Sequence, residues 1–114
     1  MAQRCYLVAM VWVRDACGFA EYGRGRTHTV ELYGGRIVFL GERNNALAGN
    51  PDWDLLLVIE WPDRAALQRW WDSPEYAPWK EMLSRVAGAE LSVVERVDTL
   101  EGEGYPAPKL VIDN

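Results

Sequence analysis

Two stretches, Tyr6 to Val13 and Leu55 to Trp61, are almost wholly apolar: the first meets no charge until Arg14, and the second is interrupted only by Glu60. Short runs of β-branched, aliphatic and aromatic residues read as strands buried on both faces. Two such strands belong together at the centre of one sheet, and the remaining residues must supply the layer that covers them. At 114 residues the chain has enough surface to bury for one core and not for two. A single domain over residues 1–98 is expected, with 99–114 as a C-terminal extension in which Pro106 and Pro108 precede Leu110-Val111-Ile112.

Between and after the apolar runs the pattern alternates. Asp15 is placed to cap a helix from Ala16 to Tyr33, with Phe19, Tyr22, Arg26, Thr29, Val30 and Tyr33 near one face. Gly18, Gly23 and Gly25 lower its helix propensity and predict an irregular middle. Gly34-Gly35 ends it, a short strand follows over Arg36 to Leu40, and Gly41 to Asp54 reads as a polar loop. Asp63 caps a second helix that stops near Asp72-Ser73-Pro74, and a third runs from about Pro74 to Ala87 with Gly88 as its terminator. Ala89 to Val97 alternates as an outer strand. The order βαββαβ, with the two apolar strands first and third, is that of a ferredoxin-like α+β fold: a four-stranded antiparallel sheet in the order four-one-three-two, helices on one face. The other face of the apolar strands would be left bare, so a homodimer whose two sheets pack together is expected.

Twelve Lys and Arg against 17 Asp and Glu give a net charge of −5, which argues against nucleic acid or an anionic membrane as the main partner. No apolar run is long enough to span a bilayer, and the N-terminus lacks the pattern of a secretory signal, so a cytoplasmic location is expected. Cys5 and Cys17 match no zinc or redox spacing. With His28 as the single histidine and no Gly-rich phosphate loop, neither a metal site nor a cofactor is expected.

Tyr6-Leu7-Val8, Phe19-Ala20-Glu21-Tyr22, Tyr33-Gly34-Gly35-Arg36, Val58-Ile59-Glu60-Trp61-Pro62 and Asp72-Ser73-Pro74-Glu75-Tyr76 stand in this order and at workable spacing. Together they resemble the bacterial domain-of-unknown-function family 1330 over about Arg4 to Val97. The resemblance implies a dimeric α/β barrel, an architecture shared with cofactor-free monooxygenases, some aromatic polyketide cyclases and small-molecule isomerases. It supplies no reaction, because fold alone does not fix function. Tyr33 stands where the family usually has His, Trp61 where it has Phe, and the tail is extra.

Glu60 is the one ionisable residue of its apolar strand, and an isolated carboxylate there would have a raised pKa, as a general base requires. With Leu40 opposite Leu56 in a hairpin, Arg36 falls opposite Glu60, giving either a structural pair or an acid/base couple at a pocket mouth. His28 is a second candidate base if its helix face turns toward a pocket, and an exposed residue otherwise. Tyr22 is either core packing or a phenol donating to a carbonyl or enolate oxygen. The bulky strand face, Tyr6, Met10 and Trp12 among it, is the expected ligand-lining face, with Trp12 and Trp61 as an aromatic wall and Asn44 as a polar contact from the loop. These residues suggest a small-molecule-binding protein, read first as a cofactor-independent isomerase or cyclase acting on an apolar carbonyl-containing metabolite. The alternatives are a non-catalytic ligand-binding or stress-related module and a cofactor-free monooxygenase.

Overall fold

The computed structural model describes residues 3–96; the expected C-terminal extension lies outside them. Strands β1 (Cys5–Val13), β2 (Arg36–Glu42), β3 (Leu55–Trp61) and β4 (Ala87–Glu95) form one antiparallel sheet in the order β2-β3-β1-β4. Helices α1 (Ala16–Leu32), α2 (Arg64–Trp71) and α3 (Ala77–Val86) supply the second layer. This is the expected ferredoxin-like order, with the two apolar strands paired at the centre from Cys5↔Trp61 to Val11↔Leu55. Among the described residues no helix is long and apolar enough to cross a membrane.

The central strands are buried on one face only. Cys5, Leu7, Ala9 and Val11 of β1 and Leu57, Ile59 and Trp61 of β3 are covered by the helices, whereas Tyr6, Val8, Met10, Trp12, Leu56 and Val58 are half-buried on the opposite face. Burial on both faces, expected from the apolar runs, is therefore not reached within one chain.

Local chemistry sets the element boundaries. Asp15 accepts from the Gly18 amide at 3.1 Å and starts α1, and Asp63 accepts from the Ala66 amide at 2.8 Å and starts α2. Contrary to the irregular middle expected, α1 is continuous, and two of its glycines, Gly18 and Gly25, are close-approach positions. A Cβ on Gly25 would lie 2.2 Å from the Trp79 ring, and one on Gly18 would lie 2.7 Å from Val86. The third helix is shorter than its pattern suggested, and β4 starts at Ala87 with no glycine terminator between them. Arg14 replaces that terminator: Nη2 donates to the Ser84 and Ala87 carbonyls, both at 2.8 Å, at the point where the helix leaves its last carbonyls unpaired. Gly88 thus sits inside the strand, opposite Trp12.

The β2–β3 hairpin keeps Arg36 opposite Glu60, but an irregularity between Ile37 and Phe39 shifts the register by one. Leu40 therefore faces Leu57 and not Leu56, the extra residue being Val38.

The Gly25 contact yields a test. Gly25→Ala must push the Trp79 ring off α1, so it should destabilise the fold by about 1–3 kcal/mol despite raising helix propensity. Chemical denaturation reads the sign directly, and a stabilised variant would show that the ring moves freely.

Candidate functional site

Two groups of polar side chains interrupt the apolar packing, one on each face of the sheet. On the helix-covered face, a narrow cavity of about 20 Å³, room for a single water, is lined by Leu7, Ala9, Val11, Phe19, Tyr22, Arg26, Leu57, Ile59, Trp70, Tyr76, Leu83, Ala89 and Leu91. Of these, Ala89 is exposed and Phe19 and Leu91 are half-buried, which puts the mouth between the start of α1 and β4.

The placement of its phenols follows from short motifs. The Ser73 hydroxyl donates to the Trp70 carbonyl at 2.8 Å and accepts the Tyr76 amide at 3.1 Å, tying the end of α2 to the start of α3. Pro74 prevents the two helices from fusing. That turn delivers Tyr76 onto Trp70, with ring centroids 4.1 Å apart, and sets its hydroxyl 2.7 Å from that of Tyr22 on α1. Burial pushes both phenols above their ordinary value. Contact with Tyr76 and the nearby Arg26 cation oppose the rise at Tyr22, and Tyr22 adds to it at Tyr76. Both are therefore neutral hydrogen-bonding groups at neutral pH. One of their two O–H hydrogens is used between them, leaving the other without an acceptor among the described residues. Arg26 completes the polar wall: it is 7% exposed, and its guanidinium carbon lies 5.3 Å from the Tyr22 ring centroid.

Glu60 lies on the other face, at the end of β3. Arg36 donates to its Oε1 at 2.8 Å, while Arg4 and Tyr6 donate to Oε2 at 3.3 and 3.1 Å. Open clefts of about 240 and 160 Å³ flank it, one lined by Gln3, Arg4, Tyr6 and Arg96 and the other by Arg4, Gly34, Arg36, Trp61 and Pro62. The Arg36 hydrogen bond, aided by Tyr6 and Arg4, holds its carboxyl below the ordinary 4.5 against partial desolvation. This corrects the raised pKa expected for an isolated carboxylate, because Glu60 is not isolated.

The remaining expected site residues separate. Trp61 is fully buried on the helix side, stacked 5.3 Å from Trp70, and Trp12 is on the opposite face, so the expected Trp12–Trp61 wall does not form. Tyr6, Met10 and Trp12 share that outer face and do not line the inner cavity. His28 is exposed on α1, because Arg26, Thr29 and Val30 take the buried stripe. Asn44 is exposed on a loop whose base is clamped by Arg43 Nε donating to the Trp53 carbonyl at 2.6 Å and by the Val13 amide donating to Asp54 at 2.7 Å. Tyr22 alone of the expected residues reaches the inner cavity as a polar group. Arg26 and Tyr76 were not expected as site residues; the available signal was an arginine on the otherwise apolar stripe of α1.

The other motif residues have structural duties. Gly34 takes φ +90°, and a Cβ on Gly35 would lie 2.8 Å from the Trp61 ring, so the Gly-Gly pair turns the chain tightly over that indole. Tyr33 donates to Glu75 at 2.6 Å, which pulls the Glu75 carboxyl below its ordinary value and pushes the Tyr33 phenol up.

A depressed carboxylate contributes stability that is complete above the unfolded-state pKa and is lost as pH falls through the folded value. Glu60→Gln should therefore destabilise the protein at neutral pH and converge with the parent in strong acid. Urea titrations at the two pH values check this, and an equal deficit at both would remove the ion pair as its cause.

A search of curated proteins finds no match to the sequence. A solved protein of unknown function from Rhodopseudomonas palustris superposes with a TM-score of 0.75 at 21% identity, over 87% of this chain and 86% of that one. SnoaB, a cofactor-independent oxygenase from Streptomyces nogalater, gives 0.64 at 17% identity over 89% and 100%. A dimeric protein of unknown function and ferredoxin-like fold from Bacteroides fragilis gives 0.55 at 13% over 82% and 96%. At such identities the likeness establishes the fold and no more. The profile of the family described as domain of unknown function DUF1330 matches residues 4–97, and the chain belongs to that family.

Proposed function

We propose that the chain binds a small, largely apolar, carbonyl-bearing molecule between sheet and helices and acts on it by cofactor-independent isomerase- or cyclase-type chemistry. The observation that carries this reading is the Tyr22–Tyr76 pair, which holds one uncommitted O–H beside a cavity that is apolar apart from these phenols and Arg26. A donor held in a low-dielectric site polarises a carbonyl and stabilises the enolate formed from it. Glu60 and His28, the expected bases, both lie away from this cavity, and its described lining holds no carboxylate or imidazole. The protein thus supplies the electrophilic half of the reaction, and the proton is taken up by water or by the ligand itself. Likeness in fold to SnoaB, described as a cofactor-independent oxygenase, is compatible with chemistry at a stabilised anion.

One observation favours a second reading, a non-catalytic binding module: the cavity of about 20 Å³ is far below the roughly 300 Å³ or more of ordinary ligand sites. A ligand must displace the half-buried Phe19 and Leu91 to enter.

The two readings separate with 1-tetralone, a ketone with exchangeable α-hydrogens. The enzyme reading predicts saturable binding by calorimetry and accelerated α-deuteration by NMR in deuterated buffer. Tyr22→Phe should slow the exchange by about tenfold or more, the scale of one oriented donor. Binding without exchange would leave the module as the better description, and absence of binding would discard both.

The proposed assembly is a homodimer packed through the outer sheet face. Tyr6, Val8, Met10, Trp12, Leu56 and Val58 lie half-buried there beside the exposed Phe39 and Val94, a contiguous apolar surface that water does not favour. Val58→Asp, placing a charge at its centre, should convert a dimer into a monomer by light scattering. A parent protein that is already monomeric would refute this arrangement.

A further inference from the structure

The geometry points to an anion site: we infer that Arg26, with the Tyr22–Tyr76 pair, selects ligands carrying an oxyanion on an apolar ring. This inference rests on the cavity reading above and adds the charge state of what occupies it.

Arg26 is an unusually ill-served cation. Its residue is 7% exposed, and a guanidinium carries five N–H donors. Nη2 donates to Thr27 Oγ1 at 3.4 Å, a long contact, the Tyr22 hydroxyl is the guanidinium's other polar neighbour, and Nε is buried with no partner. Among the described residues Arg26 forms no ion pair, although other arginines of this acidic chain do. Its position over the Tyr22 ring, 5.3 Å from the centroid, gives partial compensation through the ring face. A buried charge without a counter-ion is destabilising, and an apolar side chain of similar length would serve packing better.

The same side chain lines the cavity. Arg26 and the two phenols thus border one space otherwise walled by apolar side chains, Leu7, Ile59, Leu83 and Trp70 among them. An anionic oxygen satisfies both donors and neutralises the cation, while an aromatic body fits the apolar walls and the Trp70 face. A neutral carbonyl satisfies the phenol and leaves the charge unbalanced. The chemical class is thus an aryl carboxylate, a phenolate or the enolate of a ring ketone.

The test compares 1-naphthoate with 1-naphthamide, which have the same ring and nearly the same shape but differ in charge. Titration calorimetry on the parent protein should find the carboxylate bound about 10-fold to 100-fold more tightly, the range of a hydrogen bond to a charged group. Arg26→Met should abolish that preference while keeping amide affinity, and Arg26→Lys should retain part of it. Independently of any ligand, Arg26→Met should raise Tm, because it removes an unpaired buried charge. Equal affinity of the parent for the two compounds overturns the anion inference and leaves the cavity reading standing. Binding of neither discards both. A lowered Tm for Arg26→Met, with both affinities lost together, would make Arg26 a structural residue and overturn the inference.

Discussion

The indole of Trp70 is the contact on which the helical layer depends. It lies 5.3 Å from Trp61 of β3, 4.1 Å from Tyr76 and 6.0 Å from Trp71, centroid to centroid. Its Nε1 donates to Thr29 of α1 at 3.0 Å, and Thr29 in turn donates to the Arg26 carbonyl at 2.8 Å. One 1%-exposed side chain therefore joins the sheet and α1, and its stack orients the phenol of Tyr76. Aromatic pairs add to the area they bury, and an indole N–H that is buried needs its acceptor, so Thr29 cannot become Val without leaving that donor orphaned. Trp70 and Tyr76 of this stack line the cavity together with Ala9 and neighbouring core side chains.

The fold was legible because its signals are local and strong. Strongly apolar central strands, Asp caps at residues 15 and 63 and the break at Pro74 each act within a few residues, and the strand order follows from which strands are most apolar. What escaped prediction depended on partners distant in sequence. Nothing near Gly88 announces that Arg14, 73 residues before Ala87, will take the carbonyls at the end of α3. Nor do Gly18 and Gly25 reveal that Val86 and Trp79 need the space a Cβ would fill, which turns poor helix formers into requirements of the α1–α3 contact. The one-residue shift at Val38 is likewise invisible in a short strand whose hairpin loop is long.

The expected base, Glu60, lies outside the inner cavity. A lone charged group in an apolar pattern attracts attention, and Glu60 fitted that description in β3. Strand alternation, however, puts Glu60 on the face opposite Ile59 and Trp61, within reach of Arg4, Tyr6 and Arg36. The equivalent anomaly in α1 is Arg26, four residues after Tyr22 and four before Val30 on the buried stripe. A helical arginine draws less suspicion because its long stem usually carries the charge back to water. Here the residue is only 7% exposed and its Nε is buried without a partner.

The two polar groups also differ in kind. Glu60 is over-supplied with donors, three side chains on two oxygens, and two of those donors are arginines that are 66% and 70% exposed at the side chain. Such a group has its charge compensated and is poorly suited to abstracting a proton, because every partner favours the ionised form. Arg26 is under-supplied: Nε is buried without a partner and Nη2 has only a long contact to Thr27. Of the two imbalances only the second creates a vacancy that a ligand can fill. The proposed chemistry therefore lies between the sheet and the helices, where Tyr22 is legible in the sequence pattern and Arg26 and Tyr76 are not.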